Sequence, residues 1–267
     1  MKLSTLLFSL ILLCLFTFSC GSDFYIPCQS NLLVLEKKNN IKTSFAFNHV
    51  QAAYSPINHL GIKAGYNFTR INDLRAERNL RMATIGLGYY THKVVKPLRK
   101  SYDKVRTHPK LCLIGVDVYA NISQGMFTST NSSGTTGSIF GITTDEGFRV
   151  FEANLLNPHI SSQLYWQSQS FSVNFGVRAG LLYYYNGVGI GDYTQEERIL
   201  AASLIEDTPV ANLEYDLMIS KGNNRLETFL QLSWNNSGNA LLNNSAAVSF
   251  GLKLNIPSLI ESIRKKR

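Results

Sequence analysis

The sequence predicts an all-β chain, a transmembrane antiparallel up-and-down barrel of about ten strands, and three observations carry that expectation. Long stretches alternate strictly between apolar and non-apolar residues. Phe171, Val173, Phe175, Val177, Ala179, Leu181, Tyr183 and Tyr185 form one parity, set against Ser172, Asn174, Gly176, Arg178 and Gly180 on the other. These stretches run for roughly 9 to 15 residues, longer than the ~5–6 of soluble strands and close to the ~9–11 of a tilted membrane strand. The non-apolar parity is rich in Gly, Asn and Ser with isolated charges of both signs, which suits a crowded barrel interior better than a solvated sandwich face. Only 16% of residues are charged, with a net charge of +8.

The elements follow in chain order. Residues 1–19 open with Met1-Lys2 and continue as an apolar run from Leu3 to Phe18, too short for a spanning helix and suited to a signal peptide. The run ends Phe18-Ser19-Cys20-Gly21, a small residue before a Cys, where a lipoprotein leader is cut and Cys20 is acylated. Residues 20–40 are then a periplasmic N-terminal linker, 41–256 the outer-membrane barrel and 257–267 a basic C-terminal tail. Strands are expected at 42–48, 49–55, 60–69, 80–91, 111–122, 147–167, 171–185, 209–220, 225–235 and 245–256. The sixth contains Asn157-Pro158; proline lacks a ladder donor, so a bulge, an edge or a break is expected there. Connections at 55–59, 168–170 and 221–224 are short and those at 70–79, 123–146, 186–208 and 236–244 longer, which puts the short ones in the periplasm together with the N-terminus. The basic segment 92–110 is the long exception. Residues 128–138 are small and uncharged and read as a mobile outer loop.

Parity places Lys63, Asp117, Arg178, Glu214, Asp216, Glu227 and Lys253 inside, as an ion network filling a narrow lumen. Lys93, Lys96, Arg99, Lys100, Lys104, Arg106 and Lys110 face one acid, Asp103, and form a periplasmic patch able to meet anionic headgroups, peptidoglycan carboxylates or an acidic partner. Cys28 and Cys112 remain once Cys14 and Cys20 belong to the leader, and a disulfide or two separate thiols both fit. No zinc spacing and no nucleophile–base–acid set emerges, so neither a catalytic residue nor a metal or other cofactor is expected.

Tyr25-Ile26-Pro27, Asn31-Leu32-Leu33-Val34-Leu35-Glu36-Lys37, Gln51-Ala52-Ala53-Tyr54 and His59-Leu60-Gly61 resemble a family of outer-membrane barrel lipoproteins from Bacteroidetes. The sequence departs from that pattern by lacking a Pro after Asn31 and by carrying the tail Pro257–Arg267. The resemblance implies fold and location rather than a reaction. The expected function is therefore non-enzymatic: a structural protein or accessory subunit of an outer-membrane complex for barrel assembly, secretion or glycan uptake. A surface receptor or adhesin acting through its loops is the alternative, and a lipid A-modifying enzyme is a third. Expected partners are outer-membrane lipid and a protein, with neither nucleic acid nor a small-molecule substrate.

Overall fold

A computed structural model of the chain describes residues 26–72, 76–95, 112–133, 147–168, 170–191, 209–223, 225–237 and 246–257. Among them are ten strands: β1 (Ile41–Ala46), β2 (His49–Ile57), β3 (Leu60–Asn72), β4 (Ala76–Val95), β5 (Cys112–Ser133), β6 (Gly147–Gln167), β7 (Phe171–Gly191), β8 (Val210–Gly222), β9 (Leu226–Ser237) and β10 (Ala246–Asn255). Each pairs antiparallel with its sequence neighbour, and β1 pairs with β10 to close the barrel. Closure removes the two open edges that a sheet of such apolar strands would otherwise expose. The connections at 58–59, 168–170 and 223–225 define a turn end, which also carries residues 96–111. The connections at 47–48, 73–75, 134–146, 192–209 and 238–245 define a loop end.

The period-2 pattern becomes two faces. On β2 the burial alternates residue by residue, with Gln51 and Ala53 buried and Val50 and Tyr54 exposed. Around the barrel the outward side chains include Ile85, Leu87, Ile160, Leu164 and Phe250, each more than half exposed. Such a continuous apolar exterior is far larger than a soluble monomer carries.

The strands are unequal. β4 to β7 span 20 to 22 residues while β1 has only 6. At a rise of ~3.3 Å per residue, β5 is about 70 Å long, roughly twice what an apolar membrane core demands. Its outward side chains show where the change occurs. Ile114, Val116, Val118 and Ile122 are apolar and exposed, whereas beyond Ile122 the outward residues are Gln124 and Met126, both exposed, and Thr128 and Thr130, half-exposed. On β6 the same change falls between Leu156 and Glu152, and on β4 between Ile85 and Arg81. On β4, β5 and β6 an apolar belt of about nine residues or more thus gives way, towards the loop end, to a mostly polar side.

Several expectations change. Residues 128–133 belong to β5 rather than to a mobile loop, paired with 147–152 of β6, because Thr and Ser can continue a ladder whose partner strand is present. Lys93 lies on β4 opposite Ile114, not in a loop, since the strand continues through Val94 and Val95. Pro158 makes neither an edge nor a break. β6 is internal and continuous; beside Pro158 its ladder with β7 lacks pairs between Leu156↔Tyr183 and His159↔Gly180, and the register is the same on both sides of that gap. The bulge in that ladder sits between Glu152 and Asn154 instead. Close approach at Pro158 depends on Gly180, where a Cβ would stand 2.8 Å from the Pro158 carbonyl oxygen and 2.5 Å from the His159 Cβ. Cys28 and Cys112 are free thiols.

Candidate functional site: a lumen filled by residues 26–36

Ten strands enclose more space than their own inward side chains occupy, and the chain itself fills the remainder. Residues 26–36 form no strand or helix, yet Ile26, Cys28, Leu32, Leu33, Val34 and Leu35 are all buried. The segment descends through the lumen. Ile26 and Cys28 pack with Leu80, Met82, Phe127, Phe151, Leu155 and Tyr184 at the loop end. Leu32 meets Met218 and Phe229, and Leu33 and Leu35 meet Ala53 and Tyr90 nearer the turn end. From Ile26 to Glu36 an extended chain reaches about 33 Å. The expectation of a linker over 20–40 therefore does not describe residues 26–36, because the Leu32–Leu35 run has an apolar interior to enter.

An extended backbone in a closed interior leaves carbonyls and amides without secondary-structure partners, and each would cost about 1–3 kcal/mol if orphaned. Here inward side chains supply the partners. The Arg178 guanidinium donates to the Cys28 carbonyl. Gln51 Nε2 donates to the carbonyls of Gln29 at 3.1 Å and Ser30 at 3.2 Å, and Gln231 Nε2 donates to Ser30 at 3.0 Å. Lys63 Nζ reaches the Asn31 carbonyl at 3.0 Å, and Asn174 Nδ2 the Leu32 carbonyl at 2.9 Å. Five consecutive carbonyls are thus held by side chains from β2, β3, β7 and β9. Asn31 in turn donates to the backbone oxygens of Ala52 and Ala64 at 2.8 and 3.1 Å. Two inward glycines leave room for the segment: a Cβ at Gly176 would lie 2.8 Å from the Leu32 side chain, and one at Gly61 equally near Leu35.

Among the described residues the inward charges include three ion pairs. Arg178 pairs with Glu214, Lys63 with Asp117 at 3.5 Å, and Lys253 with Glu227 at 2.7 Å. Gln163 Nε2 also donates to Asp117 at 2.6 Å, and the Lys63 ammonium lies 4.1 Å over the Tyr119 ring. Asp216 has no cation partner among the described residues. It accepts from the Ser30 backbone amide at 3.2 Å, from Gln231 at 3.1 Å and from the hydroxyls of Ser30 and Ser233. Four donors from the segment and the wall take the place of an ion pair there.

At the turn end the segment is tied off by Glu36, which accepts from Lys42 Nζ at 2.6 Å. Burial favours the neutral acid at Glu36, but the Lys42 ammonium outweighs it and holds the carboxyl below its ordinary range. The chain then reverses through Asn39, whose left-handed backbone (φ 59°) asparagine tolerates, with Asn40 N donating to Lys37 O at 3.2 Å. Glu36, Lys37, Lys42, Arg225, Glu227 and Lys253 border a cavity of about 220 Å³ that opens at this end.

Of the basic residues singled out in the sequence, Lys93 is exposed at the turn end of β4. Lys96, Arg99, Lys100, Lys104, Arg106 and Lys110 lie outside the described residues, as does Cys20. Among the described residues no three His, Cys, Asp or Glu side chains gather as a metal site requires. Sequence reasoning missed Gln51, Asn174, Gln231 and Ser233, which hold the segment together with the charged groups. Their signal was present: neutral amides and hydroxyls on the inward parity opposite an N-terminal apolar run. No family model, curated protein or solved structure matches the chain.

Proposed function

We propose that the protein is a non-enzymatic outer-membrane β-barrel lipoprotein. It acts as a membrane-embedded structural or accessory subunit of a larger outer-membrane complex, such as those for barrel assembly, secretion or glycan uptake, and not as a pore. The observation that carries this reading is the combination of an apolar exterior with a lumen occupied by residues 26–36. A barrel with that exterior is at home in lipid, and one whose interior is tied to its own backbone has no open path for solute. What remains for interaction is the surface: the belt, the rim at the turn end and the wall at the loop end. The resemblance of the mature N-terminal motifs to Bacteroidetes barrel lipoproteins supports the same location.

Two measurements test it together. Purified protein in planar bilayers is expected to show no stable conductance, and the same barrel lacking residues 26–36 is expected to conduct. Cross-linking in native outer membranes is expected to give one partner in fixed stoichiometry. A steady open channel from the full chain refutes the closed-lumen reading, and a protein that runs alone in native membranes refutes the subunit reading.

The polar-sided extension of β5 and β6 beyond Ile122 and Leu156 favours a second reading, a surface receptor working through the loop end. Deleting residues 134–146 and 192–208 separates the two. Loss of cell-surface binding with the partner retained supports the receptor, and loss of the partner supports the subunit.

A further inference from the structure

The direction in which residues 26–36 run has a consequence for membrane topology. β1 begins at the turn end, so a chain that simply led into β1 would place the N-terminus there. Instead Ile26 packs with Leu80 and Phe127, which lie on the loop side of the apolar belt's edges at Ile85 on β4 and Ile122 on β5. Only Glu36 and the reversal at residues 37–40 reach the turn end.

We infer that the polypeptide threads the barrel from the loop side, so that its N-terminus shares the membrane face of the long loops and an acyl group on Cys20 enters the leaflet on that face. This rests on the outer-membrane lipoprotein reading proposed above, and replaces a periplasmic N-terminus with a surface one.

Three physical constraints favour it. First, Cys20 is six residues from Ile26, a reach of at most about 20 Å, whereas the opposite leaflet lies beyond a ~30 Å hydrocarbon core. Second, the lumen has no room for a second passage, since the first uses the inward glycines and closes on Leu32, Leu33 and Leu35. Third, the wall is closed by β1 and β10, which leaves no lateral exit. The anchor and the long loops then lie on one side, with the basic residues of 92–110 on the other. The donors to carbonyls 28–32 come from β2 and β3 on one side of the β1–β10 seam and from β7 and β9 on the other, so the segment bridges the two sides of the seam.

The test is labelling of single cysteines in intact cells with a membrane-impermeant maleimide, in the full chain carrying Cys112→Ser; Cys28 is fully buried. Asp23→Cys reports the N-terminus, Thr194→Cys the loop end and Ser170→Cys the turn end, and the unsubstituted Cys112→Ser chain gives the background. Asp23→Cys is expected to label as strongly as Thr194→Cys, with Ser170→Cys labelling only after permeabilisation. An Asp23→Cys signal that appears only on permeabilisation, alongside Ser170→Cys, overturns the inference. If Ser170→Cys labels in intact cells while Asp23→Cys and Thr194→Cys both need permeabilisation, the threading stands and the proposed orientation falls. Labelling of all three in intact cells removes the membrane reading and the inference with it.

Discussion

Arg178 donates both to the Glu214 carboxylate and to the backbone carbonyl of Cys28, so one guanidinium ties β7 to β8 and to the segment in the lumen. Both side chains are almost fully buried. Removing one member of such a pair leaves a charge without compensation, a loss of about 3–5 kcal/mol, whereas removing both leaves only polar contacts unmet. Arg178→Met is therefore expected to lower stability by that amount, and Arg178→Met with Glu214→Leu to recover part of it. Urea unfolding in lipid vesicles, followed through Trp166 and Trp234 fluorescence, measures both. A double variant as unstable as the single one would mean that the Cys28 carbonyl, not Glu214, dominates the loss.

Gly176 and Leu32 form a second tie. A side chain at 176 competes for the volume of the Leu32 methyl groups, with the Asp216 Cβ 3.5 Å away on the other side. Gly176→Val is expected to destabilise by about 1–3 kcal/mol, as overpacking of a filled interior does. Leu32→Ala, harmful alone because it opens a void, is expected to be less harmful in the Gly176→Val background. Additive losses in the same unfolding assay would show that the two residues do not share space.

The wall of the barrel was legible in the sequence and its content was not, for one physical reason. A strand with unlike environments on its two faces must alternate, and Phe171 to Tyr185 or Ala246 to Ile256 do so. Residues 26–36 are enclosed on every side and have no reason to alternate; Leu32-Leu33-Val34-Leu35 reads as a short apolar run without period. Parity also assigns a face but neither a height nor a neighbour. It put Lys63, Asp117, Arg178, Glu214, Asp216, Glu227 and Lys253 on the inward side without showing that Asp216 answers to Ser30, Gln231 and Ser233 instead of a cation. The loop-side halves of β5 and β7 were hidden because Thr128–Ser133 and Asn186–Gly191 carry turn-like composition, and they are held in the sheet by pairing of 128–131 with β4 and of 128–133 and 188–191 with β6.

Pro158 and Gly180 make a related pair. The β6–β7 ladder already lacks its bonds beside Pro158, so Pro158→Ala is expected to change stability little and can restore one donor. Gly180→Val is different, because its Cβ would meet the His159 Cβ, the Asn157 side chain and the Pro158 carbonyl, all within 2.8 Å. Backbone is the obstacle there, and a loss comparable to other severe packing defects is expected, roughly 3 kcal/mol. A benign Gly180→Val, measured by the temperature at which the compact folded band disappears on a gel, would mean that β6 and β7 are further apart at this point.

The belt makes the sharpest demand on the membrane reading. Ile160 on β6 is 61% exposed within the belt, while Glu152 on the same outward parity lies beyond its edge. An arginine near the centre of a bilayer costs about 2–4 kcal/mol on the lipid face of a barrel and close to nothing near the interface. Ile160→Arg is therefore expected to lose most of that range in vesicle unfolding and to reduce the inserted fraction, and Glu152→Arg to leave both near wild type. In water neither position would be penalised, since both are surface sites. Equal, small effects for the two substitutions would remove the protein from the membrane, and equal, large ones would move the belt's edge beyond Glu152.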